Sequence, residues 1–230
     1  MARRVRAPIV AVAAVLLFGC TPLYIWDINT TSTARPPSFD VGELSREPVA
    51  TPGLVAPAAL QGLSTALSHA LVAALAGASP PIRAISAREI ANALNDQDLA
   101  TAYAALLEGF TRTGVMDRER LQRIGSALGF RYLLLPGLAQ LDHVILDRFE
   151  IAGIKVIRTR VTVLRVWLQL WDTRTGHILW DSAGEVATAS EVLRHDRVVP
   201  IDETAEKLWR RMIQRDLLEG GTGSRSIFDL

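Results

Sequence analysis

The sequence has one cysteine, Cys20, in 230 residues. This excludes a disulfide framework and a cysteine-rich zinc site. Charge of one sign is also missing. Lys+Arg number 25 and Asp+Glu 24, a net charge of +1, so the electrostatic footprint of a nucleic-acid binder is absent. The four histidines, His69, His143, His177 and His195, have neither H-x-x-x-H nor H-E-x-x-H spacing. There is no G-x-S-x-G elbow, no G-x-x-x-x-G-K-[ST] loop and no G-x-G-x-x-G. Gly220-Gly221-Thr222-Gly223 has no lysine or helix after it, so it is no phosphate cradle. The acidic pairs Asp96 with Asp98 and Asp202 with Glu203 fall where helix N-termini are expected, and the helix dipole accounts for them. We therefore read no catalytic residue, no cofactor and no metal site, and expect a protein that is not an enzyme.

What is present begins at the amino terminus. Arg3, Arg4 and Arg6 precede an uncharged apolar run from Ala7 to Phe18. That run is well short of the ~20 residues of a spanning helix. A basic flank, a short apolar run and a small residue before the break make a secretory signal. Leu17-Phe18-Gly19-Cys20 resembles a bacterial lipobox, although Phe18 is bulkier than the usual Ala or Ser. The chemistry needs a thiol to take the diacylglyceryl group and a small residue before it for the peptidase. Arg3-Arg4 lacks the Phe-Leu-Lys of twin-arginine export, which points to the general secretory route. Thr21 stands where Asp would favour the inner membrane, so the resemblance implies the outer membrane, facing the periplasm. Residues 1–19 are expected to be a signal peptide, Cys20 the lipidated residue, and the membrane the first partner. From Cys20 onward the chain holds 22 basic and 24 acidic residues.

Residues 20–47 read as a tether, rich in Pro, Thr and Ser, with Pro22, Pro36 and Pro37. Within it, Leu23-Tyr24-Ile25-Trp26 is apolar; it lies at the lipid surface or packs on the domain. A single α+β domain is expected over 48–218 and a flexible tail over 219–230. Val49 to Val55 predicts a first strand, held to an edge or strand end by Pro52. Leu60, Leu63, Leu67, Leu71 and Leu75 mark a helix face that Gly77 stops. Ile82 to Ile85 predicts a short strand. Ser86-Ala87-Arg88-Glu89 is a capping box. Leu99 to Phe110 predicts a further helix, and Asp117 and Gly129 bracket the next. After Gly129 the period changes to that of strands, over Arg131 to Val144, Lys155 to Trp171 and His177 to Ala189. Asp202 is expected to cap a last helix. The order implies helices packed on one face of a mostly antiparallel mixed sheet. A chain starting near Val49 is expected to fold by itself.

On the long strand, Thr162, Leu164, Val166, Leu168 and Leu170 share one face and belong to the core. Arg165, Trp167 and Trp171 share the other, with Val163 and Gln169. Aromatic residues and Arg are enriched in binding hot spots, so this face is either internally packed or partner-binding. Arg158 and Arg160, with Lys155 nearby, form a second candidate: a basic strand face for an acidic partner or headgroups, or a solvated strand end.

Two segments carry a family resemblance. Leu128-Gly129-Phe130-Arg131-Tyr132-Leu133-Leu134-Leu135 resembles the helix, Gly, strand passage of envelope lipoproteins related to the curli-secretion lipoprotein. Val166 to Trp180 resembles their hairpin, in which a strand ends in Asp, turns through Thr-Gly and returns to Trp. The amino-terminal domain of the Tol-system translocation protein and penicillin-binding-protein activator lipoproteins share the pattern. The resemblance implies the α+β fold and carries no catalytic residue. It implies a non-enzymatic lipoprotein that binds an envelope protein in assembly or maintenance. The alternative is an oligomeric subunit of an outer-membrane secretion or export complex. A curli-type pore needs long lipid-facing hairpins, and Val144 to Val161 is the one place for such a hairpin. It carries Asp147, Arg148, Glu150, Lys155, Arg158 and Arg160, too much charge for a lipid-facing strand pair.

Overall fold

The computed structural model describes residues 24–151, 154–191 and 199–226. The expected signal peptide, residues 1–19, and Cys20 lie outside them. Among the described residues, seven strands form one mixed sheet in the order β3-β2-β4-β5-β6-β1-β7. They are β1 Tyr24–Ser32, β2 Val49–Ala50, β3 Ala84–Ile85, β4 Tyr132–Ile151, β5 Ile154–Asp172, β6 His177–Glu191 and β7 Gly223–Ser226. β2 runs parallel to β3 and β4, and the other pairs are antiparallel. The helices are α1 Glu43–Arg46, α2 Ser64–Ala76, α3 Ala87–Asp96, α4 Ala100–Thr113, α5 Arg118–Leu128 and α6 Ile201–Arg211. A 3-10 turn, Ala58–Leu63, leads into α2, and a π-helical segment, Met212–Leu218, follows α6.

The class is the expected α+β. The helices, expected on one face, cover parts of both. One core joins α2, α6 and the π segment to Trp26, Ile28, Tyr132, Leu134, Leu164, Leu168 and Trp180. A second joins α3, α4 and α5 to Ala50, Leu133, Leu135 and Trp171. Topology explains the division. β2 steps outward to β3 through α2, and β3 steps back across β2 to β4 through α3–α5. Right-handed crossovers in opposite directions place their helices on opposite faces.

The expected tether differs most from the structure. Most of 20–47 belongs to the domain: β1 pairs with β6 from Tyr24↔Ser190 to Ser32↔Ser182. Its period-2 pattern buries Trp26, Ile28 and Thr30 and leaves Ile25, Asp27 and Asn29 outside. Pro36 and Pro37 fall in the connection after it, where no ladder bond is lost. The expected tail also differs, since β7 pairs with β1 from Ile28↔Ser226 to Thr31↔Gly223.

Smaller differences follow from single residues. β2 takes the strand-end alternative expected for Pro52: it is interior, shorter than Val49 to Val55, and stops at Ala50. The chain rejoins the sheet only at the Val55–Gly137 bridge. That gap accommodates Pro136. Leu138 N–H donates to Val55 O at 2.8 Å, so the N of Pro136, two residues earlier, faces the same interrupted edge. Ala139 is a bulge between the pairs Leu138↔Val166 and Gln140↔Arg165, which keeps Leu138 and Leu141 on one face. Asp202 is in the first turn of α6, after the cap position Pro200, and Asp96 ends α3 instead of starting a helix.

The local capping signals form as expected. Ser86 Oγ accepts from Glu89 N–H and Glu89 returns to Ser86 N–H at 2.8 Å. Asp117 accepts from Arg120 N–H at 2.8 Å, and Gly129 ends α5 with φ +70°.

Candidate functional site

The outer face of β5 is the surface singled out by sequence, and the structure divides it. Trp171 is 4% exposed and therefore internal. Its ring meets Phe110 of α4 edge-on, with centroids 6.3 Å apart and planes at 87°. Its indole N–H donates to Gln169 Oε1 at 3.3 Å. Trp167 is half-buried, its ring 6.1 Å from Phe110. It also lies against the backbone of Gly137, where a Cβ would fall 1.8 Å from indole Cε2. Both tryptophans fasten the α3–α5 layer to the sheet, so Trp171 is withdrawn from the expected partner surface and Trp167 is mostly committed.

Arg165 stays at the surface in a cross-strand row. Its guanidinium pairs with Glu185 of β6 and donates to Gln140 Oε1 of β4 at 2.6 Å. Gln140 in turn donates to Asp142 at 2.6 Å. Register sets this row, because Gln140, Arg165, Glu185 and Asn29 lie opposite one another across four strands. Arg160 belongs to the other alternation of β5, with Thr162, and is half-buried. Arg158 lies opposite Asp147. The five candidate residues therefore do not form one surface. Cys20 precedes Tyr24, the first residue of β1, by only four positions.

Two features were not found from sequence. Arg131 pairs with Glu43 of α1 at 2.5 Å and with Asp172 at 3.2 Å, and Tyr132 O–H donates to Glu43. Burial and the hydrogen bond to the Glu43 carboxylate push the Tyr132 phenol well up. This cluster clasps α1 to the start of β4. Its members were hidden because Glu43 fell in the expected tether. The second is Asp216 in the π segment, 1% exposed. Burial pushes its carboxyl up, against the opposing pull of Thr30, Arg211, Ser182 and Arg215. Thr30 and Ser182 lie beside it without closing a hydrogen bond of good geometry.

A groove of about 850 Å³ lies between α2, the Thr51–Gly53 loop and the start of α3. His69 and Arg88 are its titratable side chains and no carboxylate lines it. Among the described residues, no three His, Cys, Asp or Glu side chains converge to hold a metal.

No family model and no curated protein matches the sequence. The likenesses are to solved structures and are distant. A PelC dodecamer from Paraburkholderia phytofirmans superposes with a TM-score of 0.45 and 11% identity, over 80% of this chain and 94% of that one. Lipoprotein GNA1162 from Neisseria meningitidis gives 0.37 and 12%, over 76% and 99%. A PDZ domain protein from Parabacteroides distasonis gives 0.38 and 10%, over 94% of this chain and 41% of that one.

Proposed function

We propose that the chain is a lipoprotein of the bacterial outer membrane, held by acylated Cys20, whose domain binds an envelope protein and performs no catalysis. The observation that carries this reading is the position of the lipobox. Cys20 stands after the apolar run and only four residues before a strand of the sheet. Acylation there joins the lipid directly to the folded domain. The Gln140–Arg165–Glu185 row, which projects from the sheet beyond the α3–α5 layer, is the surface assigned to the partner. A mixed-charge row of this kind gives register and partner choice more than affinity.

Labelling cells with a radioactive fatty acid tests the anchor. Label is expected on the wild-type chain and not on Cys20→Ala; label persisting in the variant overturns the reading. Envelope crosslinking of Arg165→Ala tests the surface. Crosslinks to another protein are expected to weaken while the domain stays folded. A ring of many copies of this chain in detergent, with no second protein captured, would favour the subunit of an export complex instead.

A further inference from the structure

The groove beside α2 lies past the carboxyl ends of two parallel strands. β2 ends at Ala50 and β3 at Ile85, paired in register. Residues 51–53 and 86–88, which carry the chain away from them, line the groove. From β2 the chain goes to α2, on the face of the first core; from β3 it goes to α3, on the face of the second. Where neighbouring parallel strands send their connections to opposite faces, a crevice opens past their carboxyl ends, and open α/β sheets bind their ligands there. At about 850 Å³ the groove has the size of a small-molecule site.

α2 forms its wall. The helix buries Leu67, Ala70, Leu71, Ala74 and Leu75 in the first core and turns one flank to the groove. That flank is two rows at i,i+4 spacing. One row is Ser64, Ser68, Val72 and Ala76. The other is Thr65, His69 and Ala73. Short side chains along both rows keep the space open. Each row is polar toward the amino end of the helix and apolar toward its carboxyl end. Leu75 O accepts from Ile82 N–H at 3.0 Å, just ahead of β3, so the carboxyl end of α2 lies beside the start of that strand. The helix therefore runs antiparallel to β3, and its polar end lies toward Ser86 and Arg88, where the strand finishes.

The polar end holds donors without acceptors. Among the described residues, Ser64, Thr65, Ser68 and His69 make no side-chain hydrogen bond and Arg88 makes no ion pair. The carboxylate next to Arg88 in sequence, Glu89, is committed to the helix cap, where Ser86 N–H and Oγ donate to it at 2.8 and 2.6 Å. Arg88 is always charged and presents a planar fork that matches a carboxylate. One guanidinium balances one negative charge, and the short apolar side chains beyond it leave room for a narrow apolar body.

We propose that the groove binds a small amphiphilic carboxylate. Its head meets Arg88 and the hydroxyls of Ser64 and Ser68, and its chain lies along Val72, Ala73 and Ala76 over Leu71. The site is separate from the Arg165 row and does not rest on the lipid anchor.

Octanoate is the probe, in a form that carries a diazirine. Full-length protein in dodecylmaltoside is irradiated with it, digested with trypsin and read by mass spectrometry. Label is expected on the peptide 47–83, which holds α2 and residues 51–53. Unlabelled octanoate should displace it, whereas octanol and inorganic phosphate should not. Arg88→Ala is expected to weaken apparent affinity at least about tenfold, the effect of losing a charge-assisted contact. Ala73→Trp fills the space from an exposed helix position and is expected to abolish labelling while the circular dichroism stays native. Label spread over the whole chain, or equal displacement by octanol, overturns the site. Equal displacement by phosphate overturns the amphiphile in favour of a simple anion. Stronger displacement by a short peptide with a free carboxyl-terminal valine overturns it in favour of a protein tail. Unchanged labelling in both folded variants overturns the placement in this groove.

Discussion

Gly137 and the indole of Trp167 occupy one space, and neither residue alone announces it. From sequence the face of Trp167 reads as either internally packed or partner-binding, and its contact with Gly137 depends on the cross-strand register of β4 and β5. Gly137→Ala should force the indole out and destabilise the protein by about 1–3 kcal/mol. Urea unfolding followed by tryptophan fluorescence measures this. Asp216 makes a second prediction at this scale. Its carboxyl is pushed up in the fold, so the native state favours the protonated form. The associated stability is present below the ordinary carboxylate pKa and is lost as pH rises through the raised one. Asp216→Asn keeps the shape and removes the charge. It should raise Tm at pH 7, by about 2–4 °C for each kcal/mol gained. The gain should vanish toward pH 3 in calorimetric scans. A burial of this kind is not legible in sequence, since Asp216 sits among Arg215, Leu217 and Leu218 and its surroundings come from β1 and β6. Arg165→Ala, in contrast, should cost no more than about 1 kcal/mol, because its ion pair is solvent-exposed.

Elements whose signals are local were legible. Ser86 with Glu89, Asp117 and Gly129 each stand within a few residues of the helix end they define. The buried alternation of β5 was legible for the same reason, and Leu168 lies fully inside the first core. Leu168→Asp should unfold the domain, since an unpaired buried charge costs several kcal/mol; loss of the far-ultraviolet circular dichroism signal checks it. The second helical layer was not legible. The stripes of α3, α4 and α5 say that each buries a face, but the face of the sheet they meet depends on β3 stepping back across β2. Phe110 joins that layer to both tryptophans of β5. Phe110→Ala should cost about 3–5 kcal/mol and loosen α3–α5 before the rest. Hydrogen exchange should show early opening of these helices while β5 and β6 stay protected.

For the molecule as a whole, the largest revision concerns where the domain begins. The polar alternation Asp27, Asn29, Thr31 and the nearby prolines read as linker, because the apolar half of β1 is only Trp26 and Ile28 with Thr30. What makes it a strand is β6, far along the chain. A chain beginning at Val49 therefore lacks the strand between β6 and β7 and leaves Val186 without its covering neighbour Ile28. Contrary to the expectation from sequence, that truncated chain should aggregate, whereas one beginning at Thr21 should fold. Size-exclusion chromatography and circular dichroism compare the two.

The distance between β1 and its partner also fixes an order of events. Ser190 comes 166 positions after Tyr24, so most of the polypeptide must emerge before the first strand can pair. On the export route proposed above, Cys20 crosses the inner membrane long before β6 does. During that interval Tyr24 to Ser32 have no ladder to join, and the processing proposed at Cys20 meets a chain whose first strand is still unpaired. Pairing over such a separation is slow. The late arrival of β6 thus works as a clock: the acylation proposed at Cys20 falls in the interval before β1 has its partner strand.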